Sequence, residues 1–339
     1  TNIGSYDVTD FSCVGAENTP SWNGSPTDTT ATLDVTAVDV DAANDSQTPI
    51  ACTFENTRQT VRVELQKQWE NGRIGDTADL ELAGLESLNT ATSTSIVITG
   101  ADPELDTATK IWITAFVGET VDLTETLDAP DDYDSELSCV PQGVLDPDPT
   151  EDVTGSFVVP AGLEGPITCT FTNTRKSTTL TLEKDWIDSA NLDEVNLSID
   201  GTNDDGPITA ITTGGDYTSP QTASITVFAG ESVVLTEALD PNGTNTGTYD
   251  ASAFSCTGGT VNPSWSLGEL SATLVVAATD VEDPQGVETP ITCTFENTRK
   301  SSTLTLTKTW TNAISGDIVN LTATGNSGLE SPAQGDSTA

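Results

Sequence analysis

The 339-residue chain has no histidine and no methionine. The first absence removes the commonest general base and the commonest ligand for transition metals. No nucleophile–base pair, phosphate-binding glycine loop or metal cluster takes its place, so the chain is not read as an enzyme. Without methionine it carries no initiator residue and reads as a mature or excised piece. Positive charge is scarce: 11 Lys and Arg face 53 Asp and Glu, for a net charge of −42. That balance excludes nucleic acid and anionic membrane surfaces as partners and suits a well-solvated, secreted surface. No apolar run is long enough to span a bilayer, and no signal peptide or lipidation motif is present, so secretion and anchoring signals are expected outside this stretch. Helical periodicity with caps is missing too.

What the chain has is repetition. One strand-like phrase is written three times: Val63-Glu64-Leu65-Gln66-Lys67-Gln68-Trp69, Leu180-Thr181-Leu182-Glu183-Lys184-Asp185-Trp186 and Leu304-Thr305-Leu306-Thr307-Lys308-Thr309-Trp310. Alternate residues of a strand share a face, so each lysine is in phase with the apolar residues and the Trp and points inward. Lysine rarely goes there unpaired. Three of the chain's six lysines hold this position. Just before each phrase stands another, Ala51–Arg58, Thr168–Arg175 or Thr292–Arg299, in which Cys, Phe and Asn (Asn56, Asn173, Asn297) alternate onto one face. A third, Val121–Leu127 and Val233–Leu239, puts Glu125 or Glu237 in phase with apolar neighbours. Each complete repeat therefore turns one Lys, one Glu and one Asn inward.

The lysines recur after 117 and 124 residues (184 − 67 and 308 − 184), and the asparagines take the same steps. That is the length of a small domain, not of a solenoid turn. The expected organisation is the back part of a repeat at 1–58, complete repeats at 59–175 and 176–299, and the front part of another at 300–339. Short Thr/Val/Leu/Ile runs between Gly, Pro, Asn and Asp clusters predict strands throughout, among them Thr32–Val38, Ser95–Ile98, Ser156–Val159 and Ala272–Val276. The fold class is all-β, tandem β-sandwich domains of Ig-like or prealbumin-like type arranged as a rod, since the joints Thr174–Thr179 and Thr298–Thr303 are short.

The six cysteines fall two per repeat, the second of each pair four residues before the Asn. Of fifteen connectivities the repeat selects Cys13–Cys52, Cys139–Cys169 and Cys256–Cys293. Disulfides place the chain in an oxidising, extracellular compartment. A zinc site fails for want of histidine and of close cysteine spacing.

A Lys on the first strand, a Glu near the middle and an Asn on the last strand resemble the prealbumin-like (Cna B-type, SpaA-like) repeat domains of bacterial surface adhesins and pilins. The resemblance covers both complete repeats and both partial ones. It implies an intramolecular isopeptide bond from Lys to Asn, assisted by the acidic residue: Lys67, Glu125 and Asn173 in one repeat, Lys184, Glu237 and Asn297 in the next. Lys308 and Asn56 are the orphan halves of a split site. The chain departs from the family's usual phrase in lacking a Tyr before the Glu, and in its disulfides and Lys-x-Trp pairs. The alternative reading of the three residues is a buried Lys–Glu ion pair with Asn hydrogen-bonded beside it.

Acidic loops at Asp39–Asp45, Asp146–Asp152 and Asp280–Asp283 offer oxygen ligands for Ca²⁺, without matching a defined calcium loop. Glycosylation sequons at Asn23, Asn44, Asn196, Asn242 and Asn320 are near chance in so Thr-rich a chain. The expected function is mechanical: a structural array of a surface fibre or adhesin stalk, whose partners are neighbouring repeats. Two other readings stand beside it. One is a filament subunit that self-polymerises head-to-tail through complementary half-domains. The other is an adhesin recognising calcium, glycans or ice.

Overall fold

A computed structural model describes the chain except residues 1–4, 16–19, 28, 36–48, 85–89, 101–102, 142, 144–152, 164, 191, 202–207, 214–221, 241, 260, 284–285, 324–333 and 339. Two compact units divide it at residue 175. The first opens with β1 (Tyr6–Val14) paired antiparallel to β2 (Ala51–Arg58), Cys13 opposite Cys52.

The rest of that unit is an eight-stranded sandwich: β3 (Thr60–Glu70), β4 (Thr77–Gly84), β5 (Thr90–Val97), β6 (Glu104–Phe116), β7 (Thr120–Leu127), β8 (Tyr133–Val140), β9 (Thr154–Val158) and β10 (Ile167–Arg175). One sheet runs β6-β3-β10-β8 and the other β5-β4-β7-β9. Their inner faces meet in a core containing Val63, Leu65, Leu80, Leu123 and Phe171. Alternation does the sorting. Strand β10 reads buried and half-buried by turns along its length, because Ile167, Cys169, Phe171 and Asn173 share one face.

The second unit repeats this plan with β11 (Ser177–Ile187), β12 (Glu194–Asp200), β13 (Ile208–Thr213), β14 (Ala223–Phe228), β15 (Ser232–Leu239), β16 (Tyr249–Thr257), β17 (Ser271–Val275) and β18 (Ile291–Arg299). Its sheets are β14-β11-β18-β16 and β13-β12-β15-β17, strand for strand the same order. In both sandwiches the first and last strands lie side by side and parallel, β3 with β10 and β11 with β18. The connections β6–β7 and β14–β15, which carry the chain from one sheet to the other, turn on Gly118 and Gly230, both at positive φ, where a side chain would be strained.

The all-β expectation holds; among the described residues the helical pieces are one 3₁₀ turn at Pro130–Asp132 and a four-residue α-helix at Ala278–Val281. Two expected strands fail. Thr32 makes only an isolated bridge to Ser21, residues 33–35 are not strand, and 36–38 lie outside the described residues. Leu304–Trp310 also forms no strand, and Leu304 is 67% exposed. Its counterpart β11 is held between β18 and β14, and no described strand flanks this third copy. The chain beyond it pairs β19 (Ile318–Thr322) with β20 (Gln334–Thr338).

Candidate functional site: a buried Lys–Glu–Asn triad in each sandwich

Lys67 sits on β3 with Val63, Leu65 and Trp69 on its face, and it is fully buried. The parallel register sets Phe171 beside Lys67 and Asn173 beside Trp69. From the opposing sheet β7 brings Glu125, whose Oε1 lies 3.4 Å from Lys67 Nζ. The amine donates to the carbonyls of Gln68 at 2.8 Å and Phe171 at 3.4 Å. It also stands 4.0 Å above the centroid of the Trp69 ring. Burial lowers Lys67 to about 8, with Glu125 partly opposing the shift. Burial raises Glu125, and Lys67 works against that rise.

The second sandwich places Lys184, Glu237 and Asn297 in the same way. Lys184 Nζ is 3.3 Å from Glu237 Oε2, donates to the Phe295 carbonyl at 3.0 Å and stands 4.9 Å over Trp186. Asn297 Nδ2 donates to Glu237 Oε2 at 3.2 Å. Desolvation again lowers the lysine to about 8 and raises the glutamate.

These pockets are under-satisfied. Apart from the 3.4 Å contact of Glu125 Oε1 with Lys67, neither side-chain oxygen of Glu125 and neither amide atom of Asn173 makes a well-aligned hydrogen bond among the described residues, and the same holds for Glu237 Oε1 and Asn297 Oδ1. Such groups are rare in native cores and call for an explanation. The split site differs. Asn56 and Lys308 are both exposed, and Lys308 lies 5.0 Å over the ring of its neighbour Trp310.

A second buried constellation escaped the reading of the sequence. Asp76 accepts from the Tyr133 hydroxyl at 2.7 Å and from Arg73 Nε at 2.9 Å. Asp193 accepts from Tyr249 at 2.6 Å and from the backbone N–H groups of Thr246 and Gly247. Each tyrosine ring meets the site tryptophan edge-on, Tyr133 with Trp69 at 5.3 Å and Tyr249 with Trp186 at 4.9 Å. Burial is the main reason both tyrosines are raised. Glu119 and Glu231 were missed as well; each is buried in the turn between the two sheets, and they accept the N–H of Phe116 and Phe228 respectively.

The three disulfides form as the repeat selects: Cys13–Cys52, Cys139–Cys169 and Cys256–Cys293. Each joins directly opposed residues of adjacent antiparallel strands. Of the acidic loops, 39–45 and 146–152 fall outside the described residues, as does Asn44. In the third, Asp280 accepts the Ala277 N–H, Glu282 pairs with Lys176 at 3.2 Å, and Asp283 accepts the Val287 N–H. Among the described residues no group of three or more acidic, Cys or His side chains is placed to hold a metal ion. No described helix is long and apolar enough to cross a membrane.

Residues 62–175 and 179–299 each match the family described as the prealbumin-like fold domain. No curated protein matches the chain. Solved structures similar to it include the C-terminal fragment of the pilus adhesin SpaC from Lactobacillus rhamnosus GG, at 13% identity and TM-score 0.38, covering 73% of this chain and 100% of that one. Another is a bacterial adhesin from Mobiluncus mulieris containing intramolecular disulfide, isopeptide and ester cross-links, at 12% identity and TM-score 0.30, covering 68% and 88%. A third is the major pilin from Streptococcus pyogenes, at 14% identity and TM-score 0.30, covering 71% and 99%.

Proposed function

Because the chain belongs to the family of prealbumin-like fold domains, we propose that it is a structural array of an extracellular surface fibre or adhesin stalk, each sandwich stapled by a Lys–Asn isopeptide bond. The observation that carries this reading is the duplicated triad, buried and short of hydrogen bonds in both repeats. As an ion pair with a neighbouring amide, it stabilises little, since desolvation offsets attraction. As a reactive site, its features have uses. Burial favours the neutral amine and the protonated carboxyl. The Lys67 nitrogen attacks Asn173 Cγ while protonated Glu125 polarises Oδ1; the amine proton passes through Glu125 to Nδ2, and ammonia leaves. This is a single-turnover self-modification, not enzymatic turnover.

The position of the bond suits a load-bearing part. Strands β3 and β10 are where the chain enters and leaves the sandwich, and they are parallel neighbours. A bond between them shelters everything from 67 to 173 from tension applied along the chain. A stapled domain of this kind holds something away from the cell surface while resisting force and proteolysis. The test is a pulling experiment under reducing conditions, which open the Cys139–Cys169 disulfide: a stapled repeat extends by no more than its linker, while a Glu125→Ala repeat releases its full contour length. Full release from the unsubstituted repeat would refute the proposal.

A second reading is favoured by the exposed Leu304–Trp310 phrase and the exposed Asn56. Head-to-tail assembly would lay that phrase of one copy beside β2 of another, as β11 lies beside β18, and bring Lys308 and Asn56 together in a repeat that still lacks the glutamate-bearing strand. Lys308–Asn56 crosslinks between differently isotope-labelled chains would support it; their absence at high concentration would remove it.

A further inference from the structure

Both complete repeats bury an indole N–H that has no hydrogen-bond partner among the described residues: Nε1 of Trp69 and Nε1 of Trp186. In the same repeats the side-chain oxygen of Asn173 or Asn297 is also unpartnered. Donor and acceptor belong to register partners on adjacent parallel strands, Trp69 with Asn173 and Trp186 with Asn297, so their backbones run about 4.8 Å apart. A lone orphaned N–H would be a local flaw. The same orphan at equivalent positions of two repeats is a feature of the fold.

We propose that this tryptophan takes part in forming the isopeptide bond, its ring seating the lysine amine and its N–H donating to the asparagine Oδ1 as negative charge collects there. The inference rests on the stapling reading above. The lone pair of the lysine nitrogen makes the new C–N bond at Cγ, and the carbonyl π pair moves onto Oδ1. The indole N–H, with the protonated glutamate, holds that oxyanion. Collapse restores the C=O bond and breaks Cγ–Nδ2, and the proton carried over by the glutamate lets Nδ2 leave as ammonia. Donors aimed where charge develops are among the strongest levers on such a step, because they are in place before it begins.

The ring is held for this duty from behind. Lys67 Nζ is 4.0 Å and Lys184 Nζ 4.9 Å from the ring centroid. On another side the Tyr133 or Tyr249 ring fixes the indole edge-on, and each tyrosine is tied by its hydroxyl to a buried aspartate. Arg73 clamps Asp76, and the N–H groups of Thr246 and Gly247 clamp Asp193. Tyr133, Tyr249, Asp76 and Asp193 are positioning residues; the tryptophans lie against the attacking lysine amines.

The test uses the whole chain, made by cell-free synthesis and quenched in acid at intervals, with the Lys67–Asn173 and Lys184–Asn297 peptides quantified separately. In Trp69→Phe the first bond should form about 10²-fold more slowly, the loss expected for one oxyanion donor. The second bond, with Trp186 intact, should keep its rate and serves as the internal reference. Replacing Trp69 by its benzothienyl isostere, which keeps the shape and lacks the N–H, should slow the first bond equally and covers any misfolding of the phenylalanine variant. Loss of the donor should lower the rate without moving its pH midpoint, which Lys67 and Glu125 set, whereas a displaced amine would move that midpoint. Tyr133→Phe should give a smaller slowing. Wild-type rates in both Trp69 variants would overturn the inference and leave the staple standing. An unsubstituted chain that forms neither bond would overturn the stapling reading and this inference with it.

Discussion

Leu180–Trp186 and Leu304–Trp310 carry the same inward residues, Leu, Leu, Lys and Trp, and differ only at the two outward positions 183/307 and 185/309. One is a central strand with its leucines buried; the other forms no strand, and its Leu306 is 43% exposed. What they share is the lysine over the tryptophan ring, at 4.9 Å in the first and 5.0 Å in the second. The cation–π contact is thus encoded within three residues. Burial and the approach of Glu and Asn are not; they depend on strands more than fifty residues away. A phrase that looks sufficient by itself supplies one wall of a site and needs the rest of its sandwich to become one.

The contrast can be broken most severely at the glutamate. Glu125→Ala should leave Lys67 as unreacted as Lys308 and abolish the Lys67–Asn173 crosslink. Losing a staple across a loop of 106 residues (173 − 67) should cost the first repeat about 4–5 kcal/mol, read from its denaturant midpoint. A midpoint unchanged by the substitution would mean that no staple had been there. Next is the disulfide comparison. Cys139→Ala with Cys169→Ala opens a loop of sequence separation 30 and should cost about 3–4 kcal/mol, leaving the sandwich folded. Removing Cys13–Cys52, whose strand pair β1–β2 joins no hydrophobic cluster among the described residues, should abolish amide-exchange protection along Ala51–Arg58 altogether.

A subtler distinction lies in pH. In Asn173→Ala the amine stays free and buried. Burial holds folded Lys67 near 8 against 10.5 for an unperturbed lysine. Between those values the unfolded chain binds a proton that the folded repeat has released, so stability should rise with pH across that window, by on the order of 3 kcal/mol. Unfolding curves at several pH values decide it; a flat or falling stability would contradict the assignment of a neutral buried amine. The smallest effect belongs to the outer faces. In the first repeat Arg62 stacks on the exposed Trp112 at 4.4 Å, where the second has Thr179 and Ser224. Arg62→Ala should cost about 0.5–1 kcal/mol by thermal melt, with the crosslinks unaffected.

Much of this architecture was legible in the chain. Period-two alternation exposed the inward Lys67, Glu125 and Asn173, and the repeat fixed the cysteine pairs. The parallel pairing of first and last strands was not legible, since register between distant segments leaves no local trace. Nor was the failure of Leu304–Trp310, for strand formation there awaits a partner. The Asp–Tyr locks escaped for another reason. Asp76 and Asp193 sit between a turn and the strand that follows it, where no periodicity marks a residue as buried. Their spacing did carry a signal: Asp76, Asp193 and Asp317 recur after 117 and 124 residues (193 − 76 and 317 − 193), the steps of the lysines themselves. Repeat arithmetic on polar turn residues would have found them.

The central claim, that the complete repeats are covalently stapled while the exposed third copy is not, is tested most directly by intact mass under denaturing, reducing conditions with crosslink mapping. The account predicts a deficit of two ammonia molecules per chain, crosslinks Lys67–Asn173 and Lys184–Asn297, and free Lys308 and Asn56 in the isolated chain. An unshifted mass would contradict it, leaving two buried ion pairs and the three disulfides to hold the array.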